Sequence, residues 1–278
     1  MLTFDTPSPV LVVLDLAFGQ VRIVASDSTE TTVEVYPRDS DDQDDVRTAE
    51  HLRVDHVHGR LLVSVAEQDG SGGAIIVAIA VPTGSSLHGR GVAADFLGAG
   101  ELGECRLSTG LGHIKLHRTG SLRLAAALGD ITVDHAVGAV EVTADHGDVR
   151  LGLIEGRTTI RAKGEGDATM GEARGAACLN LEKGAIRISR AHANVEARTT
   201  HGDIDVAEVM QGSVVAVTTF GNIRVGVAET SGAHLSLDSA TGTAYTSLSL
   251  LDTREQEVVC VEARTVIGDV VVERSGVQ

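Results

Sequence analysis

The chain has 278 residues, 23 basic against 39 acidic side chains and a formal net charge of −16. That balance excludes a binder of phosphate backbones, which needs a basic footprint, and an apolar share of 42% is enough for a folded core. The longest apolar run, residues 74–81, stops at Pro82 and is far short of the ~20 residues that span a bilayer.

The first residues, MLTFDTPSPVLVVLDLAF, carry no Lys or Arg ahead of the apolar part, Asp5 and Asp15 bracket it, and Pro7 and Pro9 interrupt it. A secretory signal wants a basic start and an unbroken apolar stretch, so the expected setting is the cytoplasm. Residues 10–16, 20–25, 31–36, 61–66 and 74–81 read as strands with turn signals between them. Residues 39–45 form an acidic loop with five Asp, and a turn or two of helix is expected around 46–52. The exposed end of a β stack is a sheet edge that needs cover. Residues 1–83 are therefore expected to be a β cap with early turns, continuous with residues 84–278, and Pro82-Thr83-Gly84 marks the softest boundary.

From there one pentad recurs: Gly, usually Asp, an apolar residue, any residue, an apolar residue. It stands as GHIKL at Gly112, GDITV at Gly129, GDVRL at Gly147, GDATM at Gly166, GAIRI at Gly184, GDIDV at Gly202, GNIRV at Gly221 and GDVVV at Gly268. Weaker copies begin at Gly19, Gly91 and Gly242, and from Gly91 the intervals are 21, 17, 18, 19, 18, 18, 19, 21 and 26 residues. A second pentad interleaves with it, as in GSLRL at Gly120, GAVEV at Gly138, GRTTI at Gly156, GAACL at Gly175 and GSVVA at Gly212. The 26-residue interval predicts an insertion around 250–257.

A unit of about 18 residues thus holds two short strands and two glycine turns, and within each strand the apolar residues alternate with period two. Such strands cannot bury a face alone, but turns stacked at ~4.8 Å can. The expected fold is an all-β, right-handed parallel β-solenoid with two short strands per turn. Its core would be columns of like residues: Ile114, Ile131, Val149, Ala168, Ile186, Ile204, Ile223. A thin interior of this kind explains an aromatic share of only 2%. The turn glycines tolerate positive φ, and Asp130, Asp148, Asp167, Asp203, Asn222 and Asp269 after them are expected to bond their own turn backbone.

These pentads, with Thr or Ser two to four residues earlier (Thr199, Thr200, Thr218, Thr219, Ser239), and the opening FDTPSPVLVVLDLAFGQVRI resemble a bacterial family of β-strand repeats of unknown function known as “putative adhesin”, common in actinobacteria. The resemblance spans nearly the whole chain. It implies a β-solenoid and brings no catalytic residues to carry over. With no signal peptide expected from the opening residues, surface adhesion is not the expected role.

Four constellations are candidates for chemistry. The Asp column is read as turn-forming, with calcium as the competing reading, since Ca²⁺ takes several oxygens; the GGxGxDxUx calcium repeat is absent and Ala185 and Thr243 interrupt the column. His51, His56 and His58 cluster, and His56 and His58 would share one strand face, as a solvated edge or a metal pair. His146 and His201 precede repeat glycines and carry no assigned role. Cys105, Cys178 and Cys260 are too few and too scattered for a disulfide framework or a zinc site, with Cys105 inward and the other two outward.

The fourth is the outward position between the core residues of the pentad: Lys115, Thr132, Arg150, Thr169, Arg187, Asp205, Arg224. Alternation keeps like charges off adjacent rungs, or else Lys115, Arg150, Arg187 and Arg224 form a cationic stripe for an anionic partner or for a second copy. A usable stripe would be free of carboxylates on the chain itself, save for Asp205 near Arg187 and Arg224. The reading is a non-catalytic scaffold or protein-binding module, monomeric or weakly self-associating, with no metal, no cofactor and no membrane or nucleic-acid partner. A self-assembling cytoskeletal-type or adhesin-like structural protein is the alternative. A glycan-acting enzyme ranks below both, because six aromatic residues and no Trp offer little to a sugar ring.

Overall fold

The computed structural model describes residues 1–65, 72–248 and 258–276, and within them the chain forms two compact units, Met1–Val137 and Gly138–Gln278. The insertion expected around 250–257 lies outside the described residues. Each unit is a stack of parallel solenoid turns, as the pentads predict.

The first unit contains β1 (Leu2–Asp5), β2 (Leu11–Ser26), β3 (Glu30–Pro37), α1 (Gln43–His51), β4 (Leu52–Val57), β5 (Arg60–Val65), β6 (Ile75–Pro82), β7 (Ser86–Leu102), β8 (Cys105–Leu111), β9 (Ile114–Thr119), β10 (Leu122–Leu128) and β11 (Ile131–Ala136). β2 is one continuous strand where two were expected, because its pairing with β7 runs on past the corner at Gly19. Its first half lies between β5 and β7, and its second half between β6 and β7, all parallel. The first rung of the sequence is therefore an interior rung, covered by the rung that follows it. Beyond β7 the order is sequential: β7 pairs with β8 and β9, β8 with β10, and β9 with β11.

The cap is antiparallel. β3 pairs with β6, β1 with β3, and β4 with β5. The helix begins three residues earlier than the sequence pattern suggests, because the Asp42 carboxylate accepts the amide of Asp44 and caps it. Asp44 and Asp45 then sit in the first turn, where the helix dipole favours anions. The buried Asp45 carboxylate ties the helix to the chain on both sides, accepting the amides of Asp39 (2.9 Å) and Ala74 (2.5 Å).

The second unit contains β12 (Val140–His146), β13 (Val149–Ile154), β14 (Thr158–Glu165), β15 (Ala168–Ala173), β16 (Ala177–Lys183), β17 (Ile186–Ala191), β18 (Val195–His201), β19 (Ile204–Val209), β20 (Ser213–Phe220), β21 (Ile223–Val227), β22 (Gly232–Thr241), β23 (Ala244–Thr246), β24 (Val258–Ile267) and β25 (Val270–Arg274). Pairing is parallel and steps one turn at a time as far as β20 and β21. There the order changes. β20 pairs with β24 and β24 with β22, while β21 pairs with β25 and β25 with β23. The last rung of the sequence sits inside the one before it. Apolar content accounts for the placement: Val259, Val261, Ala263, Val270 and Val272 are buried, whereas β22 and β23 carry an HLSLDSAT segment and an AYT segment that stay largely exposed.

The core column holds. In the first unit Ile114 faces Ile131, and in the second Val149, Ala168, Ile186, Ile204, Ile223 and Val270 follow one another in register, each at most 1% exposed. Burying a Val, Leu or Ile side chain contributes about 1.5–3 kcal/mol, so a column of six is a large part of the unit's stability. At the corners Gly112, Gly129, Gly147, Gly166, Gly184, Gly202, Gly221 and Gly268 all have positive φ. At Gly184 a Cβ would also stand 2.0 Å from the carbonyl oxygen of Gly166, so the turn admits no side chain.

Candidate functional site

The residues after Gly147, Gly166, Gly202 and Gly221 do something other than their expected task. Asp148 Oδ1 accepts the amide of Asp167 (2.9 Å), Asp167 Oδ1 that of Ala185 (2.9 Å), Asp203 Oδ1 that of Asn222 (2.7 Å) and Asn222 Oδ1 that of Asp269 (2.9 Å). In the first unit the amide of His113 donates to Asp95 Oδ1 and that of Asp130 to His113 Nδ1. The column is a ladder between rungs and does not close each turn on itself, since the side chain points along the stacking axis toward the next unpaired amide. Thr243 ends the column and does not interrupt it: its amide and hydroxyl both donate to Asp269 Oδ1. These amide bonds, together with the Arg187 guanidinium, hold the Asp167 carboxyl below the usual carboxylate range, with Arg187 the larger cause.

The Thr and Ser residues ahead of the glycines supply a second ladder. Thr199, Thr218, Thr265 and Ser239 donate to the carbonyls of Gly184, Gly202, Gly221 and Gly268, each on the adjacent rung. Thr200, one residue on from Thr199, is exposed.

The cationic stripe is a straight column in the second unit, where Arg150, Thr169, Arg187, Asp205 and Arg224 are register partners in turn. In the first unit Lys115 pairs with Thr132 in the same phase. All four cations are exposed. The expectation that no carboxylate of the chain would engage them fails in the second unit. Arg150 bonds Asp148 (2.5 Å), Arg187 bonds Asp167 (2.7 Å) and Arg224 bonds Glu273 (2.7 Å). The partner of Arg224 was hidden because Glu273 reaches it only through the changed rung order. Lys115 forms no ion pair among the described residues.

His56 and His58 do not share a strand face. His58 and Gly59 are the two-residue turn of the β4–β5 hairpin, with φ of 50° and 73°, which the twist of a hairpin favours. His56 lies half-buried on β4 against the ring of Phe4, centroids 5.4 Å apart. Cys105 is buried, as alternation predicted, and burial pushes its thiol up to about 12; Cys178 is half-buried and Cys260 exposed. No helix among the described residues is long and apolar enough to cross a membrane.

One feature escaped the sequence reading. On the outer face of β2, β7, β8 and β10 lies a concavity of about 420 Å³, lined by Val13, Leu14, Asp15, His88, Gly89, Arg90, Arg106, Leu107, Ser108, Arg123 and Ala125. Gly89 lies beneath it on the inward phase, where a Cβ would meet the core side chains of Phe96 and Leu107 at 2.7 and 2.8 Å. Aligning GECRL at Gly103 with GSLRL at Gly120, 17 residues apart, would have placed Arg106 and Arg123 side by side.

The chain is thus an all-β solenoid protein whose repeat residues are spent on joining rungs. It belongs to the Toastrack DUF4097 family, whose profile matches residues 12–273. It is similar to solved structures described as “putative adhesin” from Bacteroides fragilis (15% identity, 97% of this chain and 94% of that one, TM-score 0.41), Parabacteroides distasonis (13%, 98% and 94%, 0.42) and Parabacteroides merdae (13%, 98% and 95%, 0.38). No match is found among curated proteins.

Proposed function

We propose that this protein is a non-catalytic scaffold that binds a protein partner in the cytoplasm. The observation that carries the reading is an apolar line along one corner of the first unit. Phe18, Ala93, Leu111 and Leu128 follow one another in register, and Phe18, Leu111, Leu128 and the neighbouring Val92 are large, exposed apolar side chains. Contiguous apolar surface on a soluble protein marks an interaction site, and here it is repeated from rung to rung on a rigid frame. Lys115, on the stripe, adds an uncommitted cation to the same unit. Three free thiols, one of them exposed, suit a reducing compartment.

The test is capture from the native cell with tagged wild-type chain and with a Leu111→Lys/Leu128→Lys double variant of unchanged melting temperature. A protein retained by the first and lost by the second supports the reading. The same proteins in the same amounts on both would sink it.

A further inference from the structure

We propose that the concavity on the outer face of β2, β7, β8 and β10 binds a small anion carrying two acidic groups, carboxylate or phosphate. The register lays out its lining as two rows. Val13, His88, Arg106 and Arg123 face one another across the four strands, and Asp15, Arg90, Ser108 and Ala125 form the next row, two residues along.

The first observation is an exception. In the column that contains Arg150, Arg187 and Arg224, a Thr or an Asp separates each cation from the next. Arg106 and Arg123 are direct register partners with nothing between them, and His88 stands on the other side of Arg106. Like charges placed opposite one another on neighbouring strands are destabilising. Arg106 also bonds Glu104, yet an anion seated on this row would face both guanidinium groups at once.

The second observation is supply. Arg90 makes no hydrogen bond and no ion pair among the described residues. Arg106 bonds the Glu104 carboxylate at 2.6 Å through Nε, but a guanidinium has five N–H donors in a fixed fork, and most of them stay available. That fork matches carboxylate and phosphate oxygens in pairs. Asp15 is the one acid in the lining, so the cleft is basic on a chain of net charge −16.

The third is shape. About 420 Å³ lies within the range of small-molecule clefts. Arg90 and the Arg106–Arg123 pair sit in different rows, roughly 7 Å apart along the strands. One acidic group per row follows, with a short linking skeleton over Val13 and Ala125. The Ser108 hydroxyl adds a neutral donor beside Arg90 in the second row.

The experiment is titration of the full chain with succinate and with pyrophosphate, read by calorimetry and by melting temperature, with acetate and inorganic phosphate at matched ionic strength as single-group controls. A two-group probe should bind with millimolar or better affinity, raise the melting temperature and weaken with added salt, while the controls do none of these. Succinate alone, pyrophosphate alone, or both identify the acidic group and support the site. Arg90→Gln and Arg123→Gln should each weaken binding by about tenfold or more in variants that circular dichroism shows to be folded, and Arg187→Gln, in the second unit, should leave binding intact. Failure of both probes to bind, or binding that survives Arg90→Gln and Arg123→Gln, or falls with Arg187→Gln, overturns the proposal.

Discussion

Asn222 accepts the backbone amide of Asp269 on its side-chain oxygen at 2.9 Å, although the two stand 47 residues apart in the chain. The next copy in sequence, Thr243, lies one rung further out and bonds Asp269 from the other side. Hydroxyl bonds repeat the order, with Thr265 on Gly221 and Ser239 on Gly268. The final rung of the sequence is held by side-chain bonds on both of its flanks.

The first prediction tests that order. Amide hydrogen exchange should protect β24 and β25, which are paired on two sides, more strongly than β22 and β23, which are paired on one side among the described residues. Slower exchange in Leu235 and Leu237 than in Val261 and Ala263 would show the rung order to be wrong.

The core column makes the second. Ile204→Ala, at a position 0% exposed, should destabilise by about 2–5 kcal/mol. Thr132→Asp, on the outward phase, should stay within about 0.5 kcal/mol. Equal shifts in denaturant midpoint for the two variants would refute the inward and outward assignment.

The pH dependence of Asp167 supplies the third. Its carboxyl titrates below the ordinary range because Arg187 and the amide of Ala185 bond the charged form. A depressed folded pKa contributes stability that is present above the unfolded value, about 3.9, and is lost as pH falls through the folded one. The side chain is 42% exposed, so solvent screens the effect and it stays small. Asp167→Asn should lower the melting temperature near neutral pH, with the gap to wild type closing below about pH 4. A gap that is constant with pH would mean the ion pair contributes nothing.

Thiol chemistry gives the fourth. An alkylating reagent followed by mass spectrometry should modify the exposed Cys260 first and leave Cys105, buried and with its thiol pushed up to about 12, unmodified until the chain unfolds. Rapid labelling of Cys105 in the folded protein would contradict its place in the core.

Much of this was legible in the residues, for identifiable reasons. Period-two alternation after each glycine marks which side chain is buried, so Ile186, Ile204 and Ile223 could be placed before any coordinates. Alternation says that a strand belongs to the stack but not on which level. GDVVV at Gly268 and GTAYT at Gly242 fit either slot by pattern, and apolar content decides between them. The stripe was legible as a column, but its charge state was not: Asp167 is 20 residues from Arg187, and Glu273 is 49 from Arg224. The basic cleft went unseen because Arg90 falls inside a 17-residue strand where no clean pentad frames it.

The interior position of the final rung also bears on how the chain is made. β22 and β23 leave the ribosome before β24 and β25, yet they must settle outside them. If they docked on β20 and β21 as soon as they emerged, they would occupy the place of the rung still to come. Completion of the second unit therefore waits until β24 and β25 have emerged, and a nascent chain halted near Thr246 presents β20 and β21 as an open template. Strands β24 and β25 act as a latch.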